Sequence, residues 1–378
     1  MSDISIEHLI QFTVMSDNAF YTQLQQGLLT ILDDAENHPY AFFTSKRLGF
    51  TMASNIGCVR EENQDRTLFL RAYTGGSKAN FVAAVLCDGM GGMIQGGKCA
   101  SLATSVFVSS LVLDKEPDLF LRLKTSVQKA NDAVFKKYHG EGGSTLVAVV
   151  CDQSNHWMIA SVGDSRIYKA KLGGSLELLT VDDTVERQLD LIGKGLNISA
   201  EFGRGLTQFV GIGDSIEVHI QSLNPQPNEI LILTSDGAYN LSKDGKVFNS
   251  LVTNATTSQE LVNRLLSVSE WFGGVDNATI SVIPTFCDFK LQKNENQKGY
   301  LEVWSPLCGQ NNFFNLSSEL TLTTKNSYIG KIEKPKNQSN TRKNKVSSNG
   351  ISKMEISTDD IPKNGQSSFQ IDIVEITP

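Results

Sequence analysis

Apolar positions along this chain follow two rhythms. Over 17–34, Phe20, Leu24, Leu28, Ile31 and Leu32 recur on one helical face, with Asp17 placed to cap the start. From Phe42 onward, short apolar blocks alternate with Gly and Asp. The blocks 81–87, 145–152, 156–162, 216–221, 230–235 and 279–284 read as strands. Three helices interrupt them. One covers 97–113. A second opens at Pro117 and carries Leu123, Val127, Ala130, Val134 and Tyr138 at helical spacing. A third covers 258–271, with Thr257 and Glu260 in capping-box spacing. Strands come in runs instead of alternating strictly with helices, which predicts an α+β fold with antiparallel sheets.

Beyond about 286 the chain turns polar and rich in Asn, Lys and Ser. Strand-like alternation returns at 300–305, 320–324 and 369–376, while 331–366 has few large apolar residues and reads as a mobile loop. The expected organisation is therefore an N-terminal helical extension over 1–44, a main domain over 45–286, and a C-terminal extension over 287–378 made of a small β element with a disordered basic loop.

Charge sharpens this division. The 378 residues carry a formal charge of −7, which argues against a general nucleic-acid binder. Residues 1–45 hold six acids and no base, whereas 331–345 hold six bases and one acid. The basic segment is read as a solvated loop; a sharper reading has it docking an acidic partner such as the N-terminal arm. The longest apolar runs, 81–87 and 146–151, are too short to span a bilayer as helices, so no membrane insertion is expected. No base precedes Lys46, so the start lacks the basic region of a secretory signal. Six cysteines are scattered without a C-x-x-C pair, which disfavours a zinc site or a disulfide framework and fits a cytoplasmic location.

The candidate chemistry lies in aspartates at the ends of apolar strands. Asp88-Gly89 follows 81–87, Asp236-Gly237 follows 230–235, Gly163-Asp164 follows 156–162, and Asp276-Asn277 precedes 279–284. A strand end holds a side chain rigidly, and glycine lets backbone approach a ligand. Carboxylates gathered at one place repel unless cations lie between them, and oxygen donors without Cys or His select Mg²⁺ or Mn²⁺. Singly, each Asp-Gly is more often a turn, and Arg60 alone is more often a solvated arginine.

Seven segments in order change those odds: 57–65 (Gly57 to Asp65, through Arg60 and Asn63), 88–92, 143–146, 163–168, 206–211, 235–237 and 276–279. This ordered set resembles the metal-dependent Ser/Thr protein phosphatases of the type 2C family, bacterial in style, over about 45–285. The resemblance implies a four-layer α/β/β/α sandwich with two central antiparallel sheets. It implies two Mn²⁺ or Mg²⁺ ions and, at Asp164 with Asp236, a third, weaker ion. By the same resemblance Asp88 bridges two metals, the Gly89 carbonyl is a backbone ligand, Asp236 and Asp276 complete the second metal site, and Asp65 is held near the metals. Arg60 matches the arginine that grips the substrate phosphate with its planar fork. The implied reaction is hydrolysis of phosphoserine and phosphothreonine in proteins by direct attack of a metal-bridging water, opposing a Ser/Thr kinase.

Three positions depart from the family pattern. Gln64 stands where many relatives have an acid, Met90 where eukaryotic relatives have a histidine, and Asp182-Asp183-Thr184 where relatives usually read Asp-His-Ser or Asp-His-Thr. The alternative function is a phosphatase-like regulatory or binding module with little activity, which predicts lost ligands. A third reading is a two-metal phosphohydrolase of small molecules. Asp88, Asp236, Asp276 and Arg60 are all present, which favours the enzyme.

Overall fold

In the computed structural model, the strands that read as unbroken apolar runs are covered on both faces. In β4 (Phe81–Asp88), Phe81, Ala83 and Val85 point to one hydrophobic cluster and Val82, Ala84 and Leu86 to another. β5 (Leu146–Asp152) divides in the same way, with Leu146, Ala148 and Val150 on one side and Val147, Val149 and Cys151 on the other. Side chains alternate along a strand, so an uninterrupted apolar run requires a layer on each side. The structure describes residues 6–33, 38–73, 80–90, 93, 95–191, 205–214, 216–242, 245–285, 299–306, 311–316 and 322–325.

Two antiparallel sheets supply the inner layers. The first joins β1 (Tyr40–Thr44), β2 (Thr51–Asn55), β7 (Arg166–Ala170), β8 (Leu176–Leu178), β10 (Ile230–Thr234) and β11 (Ala278–Pro284) in the order β1-β2-β11-β10-β7-β8. The second contains β3 (Asp65–Tyr73), β4, β5, β6 (Trp157–Val162), β9 (His219–Leu223), β12 (Tyr300–Trp304), β13 (Asn311–Asn315) and β14 (Leu322–Lys325). Its order is β14-β13-β12-β3-β4-β5-β6-β9. Phe50, Met52, Phe69, Trp157, Leu231, Leu233, Ile283 and Trp304 form part of the core between the sheets, and Thr67 and Ser281 hydroxyls meet across it at 2.8 Å.

Helices form the outer layers. On the second sheet lie α1 (Ile6–Asp33), α2 (Gly96–Leu113) and α3 (Leu119–Tyr138), which share one cluster with the outward face of its strands. Asp118 caps α3 by accepting from the Phe120 N–H at 2.8 Å. Among the described residues, α2 alone is long and apolar enough to cross a membrane, and it is almost wholly buried here as a core helix. After the short α4 (Val185–Leu191), the first sheet is covered by α5 (Asp236–Tyr239), α6 (Lys246–Thr253) and α7 (Ser258–Trp271). Thr257 caps α7 as its spacing predicts, but Glu260 reaches back to the N–H of Thr256, one residue earlier than a standard capping box.

The two ends of the chain depart from expectation. α1 begins at Ile6 and runs through Asp17, so Asp17 does not cap it. The described strands after 286 are not a separate β element as expected, because β12 pairs with β3 in the main sheet and β13 and β14 follow it. Leu301, Val303 and Phe314 join the cluster beneath α1 and α2, while Trp304 enters the inter-sheet core. A Cβ on Gly27 of α1 would lie 2.5 Å from Cε1 of Phe314, so helix and strand approach as closely as glycine allows. The 331–345 basic segment, the 331–366 loop and the 369–376 alternation lie outside the described residues.

Candidate active site

Five aspartates reach the same end of the two sheets from five different strand termini. Asp65 opens β3 and stands opposite Asp88, the last residue of β4. Asp164 sits on the turn between β6 and β7, Asp236 follows β10, and Asp276 precedes β11. Asp88, Asp164, Asp236 and Asp276 line one pocket of about 270 Å³ with Arg60, Gly89, Met90, Thr145, Gly205 and Leu206. Asp65 is fully buried and is not among the lining residues.

Close backbone approach holds these ends together. A Cβ on Gly89 would lie 2.3 Å from the Gly96 carbonyl oxygen, and one on Gly237 would lie 2.1 Å from the Asn277 oxygen. Both glycines are therefore required by space, beyond any turn preference. The Thr145 N–H and the Ser144 hydroxyl both donate to the Asp88 carbonyl, at 2.8 and 2.9 Å. The Ser235 hydroxyl donates to Asp65 Oδ2 at 2.7 Å and receives the Thr279 N–H at 2.9 Å, joining the two sheets behind the pocket.

Burial and mutual repulsion dominate the electrostatics. Burial pushes Asp65 up to about 7; the Thr279 and Ser235 hydroxyls oppose this in part, and Asp276 and Asp236 add to it. Asp164 is likewise pushed up to about 7, by burial and then by Asp236 and Asp182. Asp88 is driven well above the usual carboxylate range by burial and by Asp65, Asp236, Asp164 and Asp276. Arg60 donates from Nη2 to Asp276 Oδ2 at 2.8 Å, and that bond tightens its hold on its own proton.

Such a set suits a divalent cation. The lining offers carboxylate oxygens and no Cys or His, and Asp65 Oδ1 is buried without a hydrogen-bond partner. Among the described residues, no three His, Cys, Asp or Glu side chains draw together tightly enough to enclose an ion by themselves.

A family model described as protein phosphatase 2C matches residues 59–271, from the residue before Arg60 to the end of α7. The chain belongs to the protein phosphatase 2C family. Its enzyme class is thereby that of a metal-dependent serine/threonine protein phosphatase, and the two antiparallel sheets flanked by helices are the fold this class implies. Over 244 residues the chain is 25% identical to the protein phosphatase PhpP of Streptococcus pneumoniae, covering 62% of this chain and 96% of that one. Among solved structures it resembles the PPM Ser-Thr phosphatase MsPP of Mycobacterium smegmatis, in complex with cacodylate. That match has a TM-score of 0.51 and 27% identity over 63% of this chain and 98% of the other. The catalytic domain of the phosphatase PstP, solved with two manganese ions, shares the fold at a TM-score of 0.50 and 23% identity, over 65% of this chain and 98% of that one.

Several residues of this 2C phosphatase position the site in roles that the sequence pattern does not reveal. Asn277 donates to the carbonyls of Ile56 and Glu62 and accepts from the Gln64 N–H, clamping the loop that carries Arg60. Arg66 is fully buried and donates to the carbonyls of Asn63 and Asp65 and to the Ser101 hydroxyl on α2. Asp183 receives the Gly163 N–H at 2.9 Å and meets His219 Nε2 at 2.8 Å, fixing the turn that bears Asp164. The departure from the family's Asp-His-Ser pattern thus places the acid on the local strand loop and the histidine on β9. Arg166 pairs with Asp182 through two nitrogens and stacks over Tyr239, whose hydroxyl donates to the Asp164 carbonyl at 2.9 Å.

Proposed function

We propose that this chain removes phosphate from phosphoserine and phosphothreonine side chains of proteins, acting in the cytoplasm against a Ser/Thr kinase. The observation that carries the reading is the convergence of Asp88, Asp164, Asp236 and Asp276 with Arg60 around one pocket. Cys58 and Cys87 carry free thiols, in keeping with a reducing compartment.

In this reading Asp88, the Gly89 carbonyl, Asp236 and Asp276 hold two ions, Mn²⁺ or Mg²⁺, and Asp164 with Asp236 holds a weaker third. Such ions, when bound, supply Lewis-acid activation of water and neutralise phosphoryl charge. Asp65 is buried outside the pocket lining, and cations in the pocket would favour its charged form. Arg60 exchanges its carboxylate partner for the phosphate, presenting its N–H fork to two phosphoryl oxygens and aligning phosphorus. Met90 offers no proton to the leaving oxygen, so that proton comes from solvent. No pocket-lining cysteine or histidine is available as a covalent nucleophile among the described residues.

The test is hydrolysis of a phosphothreonine peptide with Mn²⁺, Mg²⁺ or EDTA. Turnover requiring the divalent ion and lost in EDTA is expected. Full activity after exhaustive chelation would overturn the reading.

A further inference from the structure

The exposed apolar side chains of this molecule are not scattered. Among the described residues the five most exposed large ones are Trp271 at 84%, Leu191 at 68%, Val275 at 67%, Val59 at 64% and Phe272 at 58%. Four of the five fall on two short stretches that are tied to each other. The backbone N–H groups of Cys58 and Val59 both donate to the Gly274 carbonyl, at 2.7 and 3.3 Å. Single exposed apolar residues are ordinary on protein surfaces, but a cluster of this kind marks an interaction site.

A structural role for the cluster is poorly supported. An apolar residue just past a helix commonly packs back on the last turn. Here the turn after α7 is made by Gly273 and Gly274, both with positive φ, and Gly274 N–H donates to Ser269 O at 2.9 Å. Val275, beyond that turn, nevertheless faces outward, as do Trp271 and Phe272. The turn is stiff: a Cβ on Gly274 would lie 2.8 Å from the Cys58 nitrogen. It holds large apolar groups in water on a rigid frame.

Position identifies the occupant. Val59 directly precedes Arg60, and Val275 directly precedes Asp276, the two residues paired at 2.8 Å on the rim of the phosphate pocket. Neighbouring Cα atoms are about 3.8 Å apart, and an extended peptide advances roughly 3.3–3.6 Å per residue. Side chains one to three places from a phosphorylated residue seated at Arg60 therefore reach this patch. Glu61 and Glu270, both exposed, flank it and disfavour acidic neighbours.

We propose that Val59, Trp271, Phe272 and Val275 form a subsite that receives a large apolar side chain of the phosphoprotein substrate, next to its phosphoserine or phosphothreonine. This deepens the phosphatase reading and depends on it. It makes the enzyme selective for phosphosites with an aliphatic or aromatic neighbour over those with polar or acidic ones.

The test uses the full chain with Mn²⁺ and two phosphothreonine peptides that differ only in having Leu and Phe, or Ser and Asn, beside the phosphoresidue. Burying one such side chain corresponds to roughly tenfold in affinity, so the apolar peptide is expected to show a KM about tenfold lower at similar kcat. Trp271→Ala should erase that difference and leave hydrolysis of p-nitrophenyl phosphate unchanged. A second readout is independent of turnover. The chain has three tryptophans, and Trp157 and Trp304 are buried, so solvent-sensitive emission reports Trp271. A non-hydrolysable phosphonate version of the apolar peptide should shift that emission to the blue and shield it from acrylamide.

Equal kcat/KM for the two peptides with no emission shift overturns the subsite, even if the small ester is hydrolysed. Trp271 shielded in a concentration-dependent way without peptide also overturns it, because the patch is then covered by a second copy. Absence of all hydrolysis overturns the phosphatase reading, and the emission shift then decides by itself whether the patch binds apolar peptide.

Discussion

The two ends of β3 bury charge in opposite ways. At its start, Asp65 faces Asp88 across the strand pair, and their neighbours Asp236 and Asp276 carry the same sign. Toward its far end, Arg71 is paired with Glu302 of β12, and Arg47 lies 3.7 Å from the same carboxylate. The aromatic rings of Phe50, Phe69 and Trp304 pack beside that pair, with Phe50 and Phe69 stacked 4.0 Å apart. One strand thus links an end where like charges are forced together to a flank where opposite charges and rings satisfy one another. The active-site end is held at a cost in stability, and the flank supplies what offsets it.

Substitutions at the two ends should therefore separate activity from stability. The largest effect is expected from Asp88→Asn or Asp236→Asn. Partners of metal ligands are already worth roughly 10–100-fold, so removing a proposed ligand should lower turnover by at least about a hundredfold. Thermal stability in EDTA should be kept or improved, because a repelling charge has been removed. A large loss of stability with either change would break the contrast.

Next comes the flank. Trp304→Ala should cost about 3–5 kcal/mol of stability, the usual range for emptying a buried aromatic site, while leaving kcat per folded molecule unchanged. Urea denaturation paired with active-site titration checks both halves. Glu302→Ala leaves the Arg71 guanidinium buried and unpaired, for which about 3–5 kcal/mol is expected; Glu302→Gln should cost less, since it keeps an acceptor. Truncation after Pro284 removes Trp304 and Glu302 together and should yield insoluble or inactive protein.

The contrast also has a pH dependence. Asp65 and Asp164 stand at about 7 in the fold, against an ordinary value of 3.8. The fold therefore binds more protons than the unfolded chain between those values, and the sites' contribution falls as pH rises from about 4 through about 7. Melting temperature in EDTA should drop over that interval, Asp164→Asn should shrink the drop, and Mn²⁺ should reverse it above pH 7. A flat profile in wild type would show that burial and mutual repulsion do not raise these carboxylates as described.

The smallest effect is expected at Asp183. Asp183→Ala frees the Gly163 N–H and His219 without touching the pocket lining, so the turn bearing Asp164 loosens. Roughly a few-fold increase in the Mn²⁺ concentration needed for half-maximal activity is expected, with kcat at saturating metal nearly unchanged. A metal titration of the two proteins distinguishes this from a loss of fold.

What could be read from the sequence follows the same division. Asp88 and Asp236 stand out because each ends an unbroken apolar strand and is followed by glycine, a local pattern. β3 itself escapes notice because Arg66 and Arg71 interrupt its apolar run. Both arginines are buried, and their side-chain partners are distant in the chain: Ser101 for one and Glu302 for the other. Nothing near them distinguishes them from surface charges. The alternation at 300–305 is legible as a strand, yet its place beside β3 depends on a pairing across more than two hundred residues. The roles of Asn277 and Asp183 are hidden for the same reason, since their importance lies in which backbone groups they meet.

The close fit of Gly27 against Phe314 also sets a timetable. A ribosome adds roughly 5–20 residues per second, so the strand that completes the burial of α1 emerges about a quarter of a minute to a minute after the helix. Through that interval the apolar face of α1 has part of its covering still unmade, and Arg71 waits for Glu302. The carboxylate pocket, whose last contributor is Asp276, is complete in sequence before either end is secured. A nascent chain of this enzyme therefore has its pocket aspartates already encoded while the flank is still open, and apolar surface left open in that interval is the kind that chaperones cover.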